Sequence, residues 1–441
     1  MRSVSVTAVV GGHWGDEGKG KVVDALAAEA DLVIRFNGGS NAGHTIVNER
    51  GTFRLHLIPS GIFYPGVTCL IGPGVVLNPE ALFEEMSTLA AAGVDTSDLR
   101  ISERAHLVFP HHLTQDALEE EARGRHAHGT TRQGIWPVYA DKAARIGLRV
   151  GDLYEPAYLE EAVSHLASRK GALLVGLYGK GRIDAEELLS RCEAWRDLLA
   201  PYVVDSHALI MEVRRARGRI LLEGHLGVMR DLDWGLYPYV TSSTCLPGGA
   251  AAGAGIPAGL ITRVIGVVKS YTTAVGAGPL PTELRDEAGD RLRAAGEEYG
   301  ASTGRPRRCG WFDAVAARFA AEVSGFTELA VMKLDVLDGF DRVKVCVAYR
   351  DRHQLLTAVP RTAVMARVEP VYEELPGWTD TAGCRSIEDL PPEAHRFLDR
   401  LEELVGVPVT LVGVGREREF LLRRSGPVSD PRASEPAVAE G

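Results

Sequence analysis

The first segment whose residue types could do chemistry is a glycine-rich stretch, GGHWGDEGKGKVVD (11–24), that follows a predicted strand. From Gly15 the spacing G-x-x-x-x-G-K is typical of a phosphate-binding loop, in which backbone N–H groups approach phosphate oxygens. In such a loop the residue after Lys21 is Ser or Thr and holds magnesium, whereas this chain has Val22. Asp16 is therefore the obvious oxygen ligand for a metal. The alternative interpretation is a glycine-rich turn with a solvated charge cluster.

A second glycine-rich stretch, FNGGSNAGHT (36–45), follows the next predicted strand. If the two strands are parallel neighbours, both loops lie at the same edge of the sheet and could hold a polyphosphate between them. His44 in this loop could donate a proton to a leaving phosphate oxygen, since an unperturbed histidine has a pKa of about 6.5. An ordinary hydrogen-bonding histidine is the alternative.

Two later segments carry charged residues with a defined spacing. MKLDVLDG (332–339) places Lys333 and Asp335 at the end of a strand, where the aspartate could accept hydrogen bonds from guanine; adenine would leave it unpaired. STGRPRRCGW (302–311) places three arginines around a turn, which suits a carboxylate or phosphate ligand but also a solvated basic loop. Clustered hydroxyls at 129–131 and 240–244 suit either turns or contacts with phosphate.

The elements that must position these loops alternate between strands and helices. This alternation predicts an α/β fold with a large central, mostly parallel β-sheet flanked by helices. The predicted strands are 4–10, 31–36, 68–72, 219–224, 329–337, 343–349 and 407–415. The predicted helices are one beginning at Pro79, one over 184–199, one beginning at Asp313 and one beginning at Pro392.

The chain reads as a single large domain over residues 1–424, with a helix-rich insertion at about 154–217. The uncharged stretch 234–262 has too many glycines, prolines and hydroxyls for a membrane span, so we expect a buried loop region there. Residues 425–441 have low hydrophobicity and three prolines, which predicts a disordered tail.

Composition narrows the class of protein. The formal net charge of −10 disfavours non-specific binding to nucleic acid or to an anionic membrane. The six cysteines are scattered singly, without the spacing of zinc sites or disulfide scaffolds, and the N-terminus carries no visible secretory signal. We therefore expect a protein of the reducing cytoplasm.

From about Val4 to Leu422 the sequence resembles the adenylosuccinate synthetase family. The resemblance rests on blocks in the same order: GDEGKGK, NAGHT, LHLIPSGI, GPGVVLNP, ADKAARIGLRVGDL, YPYVTSS, VGAGPLPTEL, GRPRRCGW, KLDVLDG and GVPVTLVGVG. It implies a homodimeric ligase that uses GTP, IMP, L-aspartate and Mg²⁺ in purine nucleotide (AMP) biosynthesis. GTP would phosphorylate the 6-oxygen of IMP, and the aspartate amine would then displace that phosphate.

The resemblance also implies roles for residues at matching positions. Asp16 would take the proton from purine N1 and bind magnesium together with the Gly43 carbonyl, and His44 would assist departure of the GDP oxygen. The implied GTP-binding residues are Gly15, Gly18, Lys19, Gly20, Thr45, Lys333, Asp335, Gly413 and Gly415. Those implied for IMP are Asn41, Thr131, Thr241, Leu226 and, donated across the dimer interface, Arg145. Those implied for aspartate are Ser302, Thr303, Arg305 and Arg307.

The sequence departs from the family pattern at positions expected around the purine base and the amino acid. The changed residues are Leu226 for glutamine, Gln133 for arginine, Trp136 for glycine, Thr244 for asparagine and Ala274 for arginine. Losing one preorganised donor typically costs about 10²- to 10³-fold in turnover, so Leu226 needs an explanation. Either His225 supplies the missing donor, or the chain is a paralogue that acts on a modified purine nucleotide or with another amine donor.

The residues present disfavour two other functional classes. A non-catalytic GTP-binding regulator would be expected to lack Asp16, Lys19 or His44, and all three are present. A P-loop kinase is disfavoured by Val22 and by the absence of a separate acceptor-binding motif. A GTP-dependent carbon–nitrogen ligase is therefore the favoured interpretation.

Overall fold

The computed structural model describes residues 5–300 and 304–424. The strands are β1 (Ser5–Gly11), β2 (Leu32–Arg35), β3 (His44–Asn48), β4 (Gly51–Leu55), β5 (Thr68–Ile71), β6 (Val76–Leu77), β7 (Leu99–Ser102), β8 (His106–Leu107), β9 (Val203–Val204), β10 (Arg219–Gly227), β11 (Ile261–Lys269), β12 (Thr272–Ala274), β13 (Arg308–Gly310), β14 (Phe312–Asp313), β15 (Glu328–Met332), β16 (Arg342–Asp351), β17 (Gln354–Leu356), β18 (Glu369–Pro376), β19 (Val409–Gly413) and β20 (Leu421–Arg423). The helices are α1 (Lys19–Ala27), α2 (Pro79–Ala91), α3 (Pro110–Arg123), α4 (Ile135–Ala144), α5 (Pro156–Tyr178), α6 (Ala185–Leu199), α7 (Ser206–Arg215), α8 (Pro247–Ala254), α9 (Glu287–Ala295), α10 (Ala314–Ser324), α11 (Thr362–Met365) and α12 (Pro392–Val405).

A ten-stranded sheet forms the centre of the molecule, in the order β20-β19-β15-β11-β1-β10-β2-β5-β7-β9. All of its neighbouring strands run parallel except β19 and β20. Apolar side chains alternate between its faces: Val6, Ala8 and Val10 join one buried cluster, and Val9 joins the other. The predicted α/β class with a mostly parallel central sheet is confirmed.

The strands that carry the two glycine-rich loops are not neighbours, because β10 lies between β1 and β2 and pairs in parallel with both. Direct pairing of these two strands, the condition under which the loops were expected to share an edge, is therefore not met. Both loops still leave the same edge, since the carboxyl ends of parallel strands lie on one side of a sheet. The insertion of β10 adds its own end, EGHLG (223–227), between the loops.

The helices predicted from proline and acidic start signals all form. Pro79 and Pro392 lie in the first turns of α2 and α12, whereas Asp184 and Asp313 cap α6 and α10 by accepting hydrogen bonds from backbone N–H groups.

Other expectations need correction. The predicted strand 329–337 ends at Met332 and continues as a 3₁₀ turn at Leu334–Leu337. The predicted strand 343–349 belongs to a separate four-stranded sheet, with β14, β17 and β18. The uncharged stretch 234–262 contains α8 and the exposed side chains of Trp234 and Tyr237, so it is not a buried loop region throughout.

The predicted helix-rich insertion contains α5, α6, α7 and the short edge strand β9. In α5, the buried Lys170 Nζ donates to Asp141 Oδ1 of α4 at 2.8 Å, and the other oxygen of Asp141 accepts from His112 Nε2 at 2.9 Å. This network ties the segment to the helix that follows the hydroxyl-rich loop 129–131. The division of the chain into one domain with an insertion stays a prediction, and the predicted tail lies outside the described residues.

Within the described ranges, the structure has no helix that is both long and apolar enough to cross a bilayer.

Candidate active site

The first glycine-rich loop turns sharply between β1 and α1. Gly15, Asp16 and Gly18 all have positive φ angles, of 99°, 60° and 101°. The Glu17 carboxylate holds the turn by accepting from the His13 N–H at 3.1 Å and the Gly15 N–H at 2.8 Å. Lys19 begins α1 and contacts Glu17 Oε2 through its Nζ at 2.5 Å. The loop thus has the left-handed glycines and the following helix expected of a phosphate-binding loop.

The two glycine-rich loops lie against each other. A Cβ atom added at Gly20 would stand 2.7 Å from the Cβ of His44, so only glycine permits this approach. The face-to-face arrangement expected of the loops is therefore present, with His44 at the start of β3.

His44 is held by a carboxylate at the end of β10. Its Nδ1 contacts Glu223 Oε1, and Glu223 also accepts from the Ser60 hydroxyl at 2.7 Å and the Ser60 N–H at 2.8 Å. Burial lowers the pKa of His44, and the nearby Glu223 only partly offsets this effect. Nε2 is buried without a hydrogen-bond partner among the described residues. The imidazole is thus fixed in orientation and has one ring nitrogen left for a ligand.

Asp16 is paired with Arg307, an arginine of the segment 302–311. Its Oδ2 accepts from Arg307 Nε at 2.9 Å, while Arg307 Nη1 donates to the buried Glu298 at 2.7 Å. Burial raises the pKa of Asp16, but Arg307, Lys269 and Lys19 together outweigh burial and hold it below its usual range. Asp16 is therefore ionised at neutral pH and can accept a proton.

The Glu298 carboxylate is surrounded by positively charged side chains behind the Asp16–Arg307 pair. Its fully buried carboxylate accepts from Lys269 Nζ at 2.8 Å and 2.9 Å, from Lys333 Nζ at 2.7 Å, and from the Tyr271 hydroxyl. Burial opposes its ionisation, but the three surrounding cations hold its pKa far below the usual range. The network connects Asp16 to Lys333, the lysine of the K-x-D segment.

The K-x-D segment and the end of β19 lie at the same edge, because β15 and β19 are parallel neighbours. Asp335 Oδ1 is buried without a hydrogen-bond partner among the described residues, which suits an acceptor for a ligand donor. Lys21 Nζ donates to the carbonyls of Gly415 at 2.9 Å and Phe420 at 3.1 Å. The first loop is thus linked directly to the segment after β19.

We expect Asp335→Asn to reduce the preference for GTP over ATP by about 10²-fold or more, because the amide no longer presents two acceptor oxygens to guanine. The measurement is kcat/KM for each nucleotide. Asp338→Asn is the matched control, since that carboxylate binds Thr381 instead. Unchanged guanine preference in Asp335→Asn would remove this residue from the nucleobase site.

A cavity of about 180 Å³ opens beside Asp16. Its walls come from the two glycine-rich loops, the end of β10 and the hydroxyl-rich loops. They are lined by Asp16, Asn41, Gly43, Asp116, His128, Gly129, Thr130, Thr131, Ile135, Trp136, His225, Leu226, Arg230, Tyr239, Val240, Thr241, Ser242, Val275, Gly300 and Arg305. The cavity therefore brings together five residues expected to bind substrates other than GTP: Asn41, Thr131, Thr241, Leu226 and Arg305.

The positions that depart from the family pattern lie in or beside this cavity. Trp136 lines it and donates from Nε1 to Asp116 at 3.0 Å. Gln133 accepts from the Ser40 hydroxyl at 3.2 Å, and the Thr244 carbonyl accepts from Asn37 at 3.1 Å. Ala274 is buried directly before the lining residue Val275. The departures thus cluster around one site.

Leu226 adopts a φ of 62°, a left-handed conformation that costs a leucine energy. Its Cδ2 would be 3.0 Å from a Cβ atom at Gly15, so the leucine side chain lies over the first loop. Beside it, burial and the nearby Arg35, His44 and Lys19 hold the pKa of His225 well below the usual value. Neutral His225 lines the cavity, and its Nδ1 has no hydrogen-bond partner within residues 5–300 and 304–424, as a replacement hydrogen-bonding group would require.

We expect Leu226→Gln to raise kcat/KM for IMP by about 10-fold or more, since the amide restores a donor at the cavity wall. Steady-state kinetics with IMP as the varied substrate checks this. Leu232→Gln, at an exposed leucine, serves as the control. A rate that stays the same or falls would indicate that the cavity has adapted to leucine.

Several predicted site residues are not placed around the cavity by the structure. Ser302 and Thr303 lie outside the described residues. Arg145 is exposed at the end of α4, and Thr45 is exposed on the strand face opposite His44. Their assignments stay predictions.

Sequence reasoning missed three residues of this site. Glu223 had a usable signal, since it is a carboxylate at the end of a predicted strand. Glu298 and Arg230 had none, because most of their partners lie 27 or more residues away in the sequence.

Comparison with known proteins identifies the family of the chain. Residues 8–422 match the family model for adenylosuccinate synthetase. The adenylosuccinate synthetase of Heliobacterium modesticaldum is 50% identical over 418 residues, covering 94% of this chain and 98% of the relative. That of Moorella thermoacetica shows the same identity and coverage.

Solved structures give the same result. The fully ligated adenylosuccinate synthetase of Plasmodium falciparum is 35% identical, with a TM-score of 0.89, and the match covers 96% of this chain and 100% of that one. A cyanophage S-2L succinoaminodeoxyadenylate synthetase is 20% identical, with a TM-score of 0.61 and coverage of 96% and 97%, and shares the fold. The chain belongs to the adenylosuccinate synthetase family.

Proposed function

We propose that the chain is a GTP-dependent ligase that joins IMP and L-aspartate to form adenylosuccinate. The observation that carries this proposal is the position of Asp16. Asp16 belongs to the phosphate-binding loop and also lines the cavity that contains Thr131 and Thr241. An ionised carboxylate there can take a proton from the acceptor while the loop holds the donor phosphates.

In the first step, the phosphate-binding loop and Lys19 hold the GTP phosphates beside the cavity. Asp16 accepts the N1 proton of IMP, which leaves electron density on the 6-oxygen. That oxygen takes the γ-phosphoryl group, and GDP departs with the electron pair of the broken bond. His44 donates a proton or hydrogen bond from Nε2 to the departing oxygen.

His44 must gain a proton before it can donate one from Nε2. Its pKa lies below the usual value without ligands. The negative charges of bound GTP would raise that pKa, because an opposite charge nearby favours the protonated imidazole. We therefore infer that GTP binding is accompanied by proton uptake at His44, with Glu223 holding the Nδ1 side.

In the second step, the aspartate amine attacks C6 and inorganic phosphate leaves with the 6-oxygen. Arg305 lines the cavity and Arg307 adjoins Asp16, which supports the proposal that these guanidiniums bind the carboxylates of aspartate. Ser302, Thr303 and, from a second copy, Arg145 complete the proposed substrate contacts.

Magnesium fits the donor set around Asp16. The Asp16 carboxylate and the Gly43 segment line the same cavity, and Mg²⁺ prefers oxygen ligands such as carboxylates and carbonyls. We propose that these two groups hold the ion, which would neutralise charge on the transferring phosphoryl group.

The proposal is tested by incubating the purified protein with GTP, Mg²⁺, aspartate and a panel of purine nucleotides. Phosphate release and the mass of the product are measured. We expect adenylosuccinate from IMP; turnover with a different nucleotide alone would overturn the assignment of IMP as the acceptor.

A further inference from the structure

Arg230 is a cavity residue to which neither the motifs nor the proposed mechanism gives a role. It ends the short 3₁₀ turn Val228–Arg230 that directly follows β10. Burial and the nearby Arg308 lower its pKa to about 10, so the guanidinium is still protonated at neutral pH.

The guanidinium binds backbone carbonyls from two separate segments. Nη1 donates to the carbonyl of Tyr239 at 2.7 Å and to that of Ala277 at 3.0 Å, and Nη2 donates to the carbonyl of Val275 at 2.6 Å. Among the residues that the structure describes, the side-chain hydrogen bonds of Arg230 all go to carbonyl oxygens rather than to carboxylates. Its charge-assisted hydrogen bonds thus fix main chain, which a salt bridge would not do.

Each of these segments contributes residues to the wall of the cavity. The Arg230 carbonyl also accepts from the N–H of Thr241 at 2.8 Å. Ala277 in turn donates its N–H to the carbonyl of His128 at 3.1 Å, which reaches the loop that contains Thr131. One arginine is therefore bonded, directly or through Ala277, to the three loops that supply Thr131, Thr241 and Val275.

We propose that Arg230 is a positioning residue that sets the geometry of the acceptor-nucleotide pocket by clamping these three loops together. The fork of the guanidinium is essential to this role, because Nη1 bridges carbonyls on two segments while Nη2 bonds a further carbonyl on the second of them. The neighbouring Ala274 has no side-chain donor, so it cannot make these hydrogen bonds.

Hydrogen–deuterium exchange tests the clamp without any substrate. In Arg230→Met, we expect amides in 128–131, 239–242 and 275–278 to exchange about 10-fold faster or more than in the wild type, while the amides of β10 and β11 are unchanged. Arg318→Met is the matched control, since Arg318 also bonds a backbone carbonyl, that of Thr357, outside the cavity. Unchanged exchange in these three segments would overturn the proposal.

The kinetic test rests on the proposed function. In Arg230→Met, we expect KM for IMP to rise about 10-fold or more, since small misplacement of binding groups has large effects, and KM for GTP to stay within about 2-fold. Equal increases in both constants would indicate a general structural defect and contradict the assignment.

The Arg230→Lys variant separates the effect of the guanidinium geometry from the effect of the positive charge. A lysine keeps the positive charge but cannot bridge the same carbonyls, so we expect its KM for IMP and its exchange rates to approach those of Arg230→Met. Wild-type values in Arg230→Lys would overturn the role of the fork. If the wild type did not turn over IMP, the proposed function would fail, whereas the exchange experiment would still decide the role of Arg230.

Discussion

Replacing Asp16 by asparagine should lower kcat by about 10³-fold or more with any acceptor nucleotide, because the substitution removes both the proposed base and a proposed magnesium ligand. Asparagine has nearly the same shape but cannot take the N1 proton. The measurement is GTP-dependent phosphate release under saturating IMP and aspartate.

The control for this substitution must also remove one negative charge, and it must leave the fold intact. Asp31→Asn meets this need, since that carboxylate accepts from the Arg219 N–H at an exposed site away from the cavity. We expect wild-type turnover in the control. Residual activity above about one tenth of wild type in Asp16→Asn would exclude its role as the base.

Replacing His44 by alanine should lower kcat by about 10²- to 10⁴-fold while changing KM for IMP little, because the imidazole is proposed to act on the departing GDP oxygen. Stopped-flow measurement of phosphoryl transfer separates this step from product release. Because the pKa of free His44 lies below its usual value, we also expect proton uptake on GTP binding in the wild type.

The His44→Ala variant should bind GTP without that proton uptake, which calorimetry in buffers of different ionisation enthalpy can measure. His207→Ala, at the exposed start of α7, is the control and should behave as the wild type. Proton uptake that persists in His44→Ala would show that another group titrates and would weaken the assignment of His44.

Much of the site could be predicted from local sequence, for physical reasons that differ between residues. Asp16 and His44 were found because tight glycine-rich turns at strand ends leave a clear spacing pattern. Asp335 was found because it follows an apolar strand. In each case the signal lies within about ten residues of the functional group.

Long-range order could not be predicted in the same way. The position of β10 between β1 and β2 brings residue 223 beside residue 44, and no local pattern specifies that pairing. Strand β11, the other neighbour of β1, was missed, although its run ITRVIGVVK is rich in β-branched residues. The contact between Asp16 and Arg307 likewise joins two loops that are distant in sequence.

The two hydrogen bonds from Lys21 join α1 to the segment after β19, and they also constrain the distance between these two parts of the protein. Lys21 belongs to α1, whose start is the proposed position for phosphate, and the carbonyls that it binds lie in the segment proposed to contact the nucleobase. The side chain of Lys21 thus constrains the distance between the proposed binding positions of the phosphates and of the base. The two proposed binding positions for a guanine nucleotide would therefore be held at a spacing that exists before the nucleotide binds.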